Sequence, residues 1–217
     1  MMTQPIKPLL RGHFHQAAFF VSLGACGMLI ASAMNNQALL ASIIYSLSLI
    51  MLFGVSALYH RPQWNPQQRT WMRRLDHAAI FILIAGTGTP ICLLAIPAES
   101  GFKLLAAFWL AAAFGFLQSL FWIKAPKWLS AILYIAMGWI ALPYIPEIRA
   151  SLGSLNAIYL ISGGALYTIG AIIYASKRPN PSPKYFGYHE IFHLLVIFGA
   201  FFHFLVVRAL MNLPLPS

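Results

Sequence analysis

Apolar residues run along this chain in long blocks separated by short polar connections. A helix of about 20 residues crosses the roughly 30 Å hydrocarbon core of a bilayer. Seven blocks reach that length, and they predict seven membrane-spanning helices. Their limits are about Phe14–Met34, Ala38–Tyr59, His77–Pro97, Phe102–Ile123, Trp128–Pro146, Leu152–Ser176 and Tyr188–Leu210. Short connections make neighbouring spans antiparallel, so the expected fold is all-α, a single seven-transmembrane helix bundle over residues 1–217. The clearest break is Lys177-Arg178-Pro179-Asn180-Pro181-Ser182-Pro183-Lys184, where three prolines stop any helix between the last two spans.

Composition agrees. The chain is 60% apolar and 8% charged, too little charge to cover a soluble domain. The net charge of +10 could suggest nucleic acid, but its placement points to lipid instead. Lys7 and Arg11 precede the first span. Arg61, Arg69, Arg73 and Arg74 lie between spans two and three, Lys124 and Lys127 between four and five. Lys177, Arg178 and Lys184 lie between six and seven, which leaves Lys103, Arg149 and Arg208 for the other side. The positive-inside rule then places the N-terminus in the cytoplasm and the C-terminus outside, with the basic loops against anionic headgroups. Ala31-Ser32-Ala33 has the small residues of a signal cleavage site. The apolar run before it exceeds the roughly 7–15 residues of a cleaved leader, so the first span is expected to stay. Cys26 and Cys92 sit alone inside apolar blocks and read as packing residues.

Ionisable side chains are costly in a bilayer, so those near a span are candidates for function. Ser56 and His60, four apart, share a face at the end of span two. Asp76 opens span three, and His189, Glu190 and His193 open span seven in the sequence HEIFH. Counting crossings puts Ser56, His60, Asp76, His189 and His193 at one depth near the cytoplasmic leaflet. Three imidazoles with an open fourth position make a catalytic zinc site, where bound water loses a proton readily. Asp76 could orient that water or take its proton, and Ser56 could donate a hydrogen bond. Taken singly, Asp76 could equally be a favourable charge at a helix start or a partner of Arg73 or Arg74. His13, His15 and His77 read as interfacial anchors or hydrogen-bonded packing residues. His203 lies ten residues beyond His193, about 15 Å along the helix, and suits an interhelical hydrogen bond rather than a fourth ligand.

Ser-x-x-x-His closing span two, Asp opening span three and His-x-x-x-His opening span seven resemble the progestin and adipoQ receptor family. That family includes adiponectin receptors and bacterial hemolysin III proteins. LDHAAIFILIAGTGTP, GGALYTIGAIIY and HEIFHLLVIFGAFFHF resemble the hemolysin III branch most closely, and the likeness covers essentially the whole chain. It implies seven helices in a bacterial inner (cytoplasmic) membrane, with an intramembrane Zn2+ held by His60, His189 and His193. It also implies Asp76 against the metal's water, with Ser56 adjacent.

The leading expectation is a zinc-dependent hydrolase of a lipid amide or ester, ceramidase-like, with Asp76 as general base and then acid. Its partners would be membrane lipids, a lipid substrate or free fatty acid, and no nucleic acid. Small residues such as Gly86, Gly88, Gly163, Gly164 and Gly170 would allow close helix packing. Thr87-Gly88-Thr89-Pro90 would kink span three. Three alternatives stand beside it. One is a pore-forming cytolytic protein, disfavoured because the polar residues gather at one end of the spans. Another is a structural zinc in a sensor. The last is a protease in which Glu190 activates the water.

Overall fold

Asn35 and Asn65 start two of the principal helices. The Asn35 side chain accepts from the Ala38 amide at 2.8 Å. Asn65 and Gln68 form a reciprocal capping box, with Pro66 at the first helical turn. The computed structural model describes residues 8–122 and 125–213. Within them run α1 (His13–Ala31), α2 (Asn36–His60), α3 (Pro66–Leu94), α4 (Ala98–Phe121), α5 (Lys127–Gly138), α6 (Ile145–Ser176) and α7 (Tyr188–Leu210). A short 3₁₀ turn, Leu142–Tyr144, joins α5 to α6. No strand occurs among the described residues. Lys7, Ile123 and Lys124, used in the predicted topology and spans, lie outside them.

Helices α1 to α4 pack in sequence, and α7 packs on α6 and also meets α1, α2 and α3. Helix α3 is the buried centre, with Ala85 to Cys92 wholly buried. Large apolar side chains on the outer helices, such as Val21, Met28, Leu110 and Phe114, face outward instead. A bundle whose rim is this apolar suits lipid as its solvent. Six stretches of the described residues are helical, long and apolar enough to cross a membrane.

The fifth predicted span is where sequence and structure part. Trp128–Pro146 is helical only to Gly138, so α5 covers about 18 Å, short of a crossing. The helix stops after Gly138, and Pro143 and Pro146 fall in the 3₁₀ turn and the first turn of α6, while the apolar composition continues. Consequently Trp128 to Ser176 forms one long interrupted apolar stretch, and a further break occurs at Gly153, with φ of 79°.

Helix α3 also starts eleven residues before the predicted His77. The arginine-rich stretch is therefore mostly helix, and Arg74 stacks over Trp71 at 4.6 Å. Asp76 lies about 15 Å inside α3, too far from the helix start to be a charge on its dipole. The helix continues through Pro90 to Leu94. The close-packing role expected of small residues is clearest at Gly163, where a Cβ would meet the His203 ring at 2.4 Å and the Gly199 carbonyl at 3.0 Å.

Candidate metal centre

Helical spacing brings Ser56 and His60 onto one face of α2, and His189 and His193 onto one face of α7. All four are buried. One ring nitrogen each from His60, His189 and His193 lies within 4.8 Å of the others. The Nε2 atoms of His60 and His189 are 3.1 Å apart. Metal–nitrogen bonds of about 2.0–2.1 Å at tetrahedral angles separate two ligand nitrogens by about 3.3 Å, so that spacing suits a shared ion. His193 Nδ1 is buried and has no hydrogen-bond partner. Three imidazoles, one with an unpartnered buried nitrogen, form a donor set that zinc favours. These residues fit the metal. Among the described residues this is the only such group of His, Cys, Asp or Glu.

Asp76 Oδ2 lies 3.9 Å from His60 Nε2. That is beyond a direct hydrogen bond, yet close enough for one small group to bridge them. The residues grouped by crossing count therefore do converge, from α2, α3 and α7.

His15 is, of the two roles the sequence offers it, the hydrogen-bonded packing residue and not the interfacial anchor. It is 3% exposed, and its ring stacks on His193 with centroids 3.7 Å apart and planes 11° apart. Its Nδ1 lies 2.8 Å from Ser56 Oγ, so His15 is one partner of Ser56, which also bonds Asp76. The crossing count could have found His15, because α1 begins at the same end of the bundle as these residues. His13 does sit near the rim, with its Nδ1 3.5 Å from an Arg61 nitrogen. His77 is half-buried, 3.3 Å from the Tyr174 hydroxyl.

Glu190, the acid of HEIFH, is fully buried and forms an ion pair with Arg11. It also accepts from the Gly187 amide at 2.8 Å, capping α7. This carboxylate is engaged by a cation and a helix end, which disfavours the protease reading. Leu9 and Leu10 donate their amides to the Lys184 and Tyr185 carbonyls, so the N-terminal segment is tied to the loop before α7. Between them and α1, Gly12 adopts φ of 82°, and a Cβ there would lie 2.6 Å from His60 Cβ. Only glycine accepts both conditions. His203 behaves as expected, with its Nε2 3.1 Å from the Leu160 carbonyl across to α6.

A cavity of about 140 Å³ extends from this centre, far more than the roughly 10–15 Å³ one water needs. His15, Ser56, Asp76 and His193 line one end, and Tyr167, Thr168 and His203 line another part. Its wall is otherwise mostly apolar, including Leu52, Ile80, Ile84 and Val196.

A family model described as "Haemolysin-III related" matches residues 3–204. Hemolysin-3 of Bacillus cereus is 31% identical over 210 residues, covering 95% of this chain and 93% of that protein. A Hemolysin-3 homolog of Bacillus subtilis (strain 168) is 31% identical over 189 residues, covering 86% of this chain and 85% of that protein.

Proposed function

This chain belongs to the Haemolysin-III related family, and from that premise we propose that it is a zinc-dependent membrane hydrolase of a lipid amide or ester. The observation that carries the reading is the buried triad of His60, His189 and His193 with Asp76 beside it, at the end of an apolar cavity. Zinc held there would polarise the substrate carbonyl and make a water easier to deprotonate. Asp76 Oδ2 is the group that takes the proton from the attacking water and returns it to the departing amine or alcohol. His15 and Ser56, bonded to each other, hold the wall beside His193. The apolar cavity accommodates part of an acyl chain and keeps bulk water from the reacting carbon.

In the proposed topology α5 and the turn after it make one interrupted crossing. That gives seven crossings in all, with the N-terminus and the metal centre at the cytoplasmic side of a bacterial inner membrane. The basic residues Arg61, Arg69, Arg73, Lys177, Arg178 and Lys184 flank the same ends of the helices as the centre, which supports this orientation.

Purified protein with zinc, mixed with a panel of lipid amides and esters, tests the function. Release of free fatty acid by wild type, abolished in Asp76→Asn with zinc content unchanged, is the expected result. Zinc retention with no turnover across the panel would leave the ion a structural role.

The relatives' name, Hemolysin-3, carries a second reading, lysis of membranes by an oligomer. Among the described residues the buried His and Glu side chains gather mainly at one end of the helices rather than along a monomer's length. Dye release from liposomes by wild type and His60→Ala alike would favour lysis over hydrolysis.

A further inference from the structure

The cavity carries a second polar station, remote from the metal centre. His203 lies ten residues beyond His193, about 15 Å along α7. The Leu160 carbonyl can only accept, so His203 Nε2, 3.1 Å away, must carry the hydrogen. In the neutral ring His203 Nδ1 is then an acceptor, and it is buried with no partner. The Tyr167 hydroxyl, on α6, is also buried and unpartnered, and its ring packs edge-on to His203 with centroids 5.2 Å apart. Both residues line the cavity.

Other polar groups on this part of the wall are satisfied. Trp139 Nε1 donates to Thr168 Oγ1 at 2.9 Å, and Thr168 donates to the Gly164 carbonyl at 2.8 Å. The Tyr45 hydroxyl is unpartnered too, but Tyr45 does not line the cavity. Two glycines hold the Tyr167 and His203 rings where they are. A Cβ on Gly163 would meet the His203 ring at 2.4 Å, and one on Gly199 would meet Tyr167 Cε1 at 2.9 Å. Packed this closely, neither ring swings freely to another partner. A buried polar atom without a partner is costly, and most such atoms in native proteins are paired. An acceptor and a hydroxyl left open on one cavity wall call for a ligand that carries a hydroxyl of its own.

We propose that Tyr167 and His203 form a distal subsite for a hydroxyl group on the chain of an amphiphilic ligand whose head lies at the metal centre. The ligand's hydroxyl donates to His203 Nδ1, and its oxygen accepts from the Tyr167 hydroxyl. The separation of the two stations selects a hydroxyl well down the chain rather than beside the head. This inference rests on the acyl-chain reading of the cavity and narrows it to hydroxylated acyl chains.

Binding of ricinoleic acid and oleic acid to the zinc-loaded protein in detergent tests it, since the two differ by one mid-chain hydroxyl. Wild type is expected to hold ricinoleic acid about tenfold more tightly, the scale on which one buried polar group gains a partner. Tyr167→Phe keeps the ring and its packing, and should abolish the preference while leaving oleic acid affinity and zinc content unchanged. His203→Leu should also abolish it. Equal affinity of wild type for both acids would overturn the subsite, with water as its only occupant, and would leave the acyl-chain cavity standing. A preference that survives both substitutions would overturn it as well. If neither acid binds, the acyl-chain reading falls together with the subsite.

Discussion

The rings of His15 and His193 lie face to face, with centroids 3.7 Å and planes 11° apart, so the first helix contributes to the histidine cluster although it supplies none of its three grouped rings. His15 is fixed in turn by Ser56. This makes His15 a positioning residue for His193. His15→Ala should weaken zinc binding about tenfold, the low end of what outer-shell partners contribute. His15→Phe keeps a ring against His193 and should lose less. Competition with a chelator measures both, and an unchanged affinity in His15→Ala would remove His15 from the centre.

Arg11 and Glu190 clamp the start of α1 to the start of α7. Removing the cation leaves a fully buried carboxylate unpaired, so Arg11→Ala should cost about 3 kcal/mol. Glu190→Gln should cost less and retain zinc, because the carboxylate is bound away from the ligand nitrogens. Thermal unfolding of the two single variants and the double variant gives the coupling. A double variant as unstable as the sum of the singles would contradict the pairing.

Gly12 stands against His60 in a left-handed conformation. Gly12→Ala should cost about 1–2 kcal/mol in backbone strain alone and push His60 out of place. Zinc content should fall along with stability. Normal zinc in a stable Gly12→Ala protein would show that the contact is not as close as described.

The proposed topology is open to cysteine labelling, since Cys26 and Cys92 are buried and should react slowly. Gln63→Cys and Ser182→Cys should label only from the cytoplasmic side of inner-membrane vesicles. Glu99→Cys should label only from the outside. Labelling of Ser182→Cys and Glu99→Cys from one side would contradict the seven crossings.

The cluster of His60, His189 and His193 is legible in the sequence because the four-residue spacings of Ser56 with His60 and His189 with His193 survive as helix faces. Counting crossings then supplies their common depth. His15 escapes because it stands in no spaced motif, and its hydrogen-bond partner lies 41 positions away. Glu190 is misleading for a related reason. Its local motif suggests catalysis, while the Arg11 that engages it is 179 positions distant. Hydropathy marks where the apolar solvent ends and not where a helix ends, so the start of α3 at Pro66 is hidden in a polar stretch. The reverse holds for Gly138 to Pro146, where apolar residues continue through a broken helix. The Tyr167 and His203 pair has no sequence signature, because an unpartnered atom is a property of packing.

Zinc content of the purified protein, prepared without chelators, decides whether His60, His189 and His193 form a metal site. A single zinc ion per chain is expected in wild type and in Asp76→Asn, with loss in His60→Ala, His189→Ala and His193→Ala. Wild type without zinc, or zinc undiminished in all three histidine variants, would contradict it.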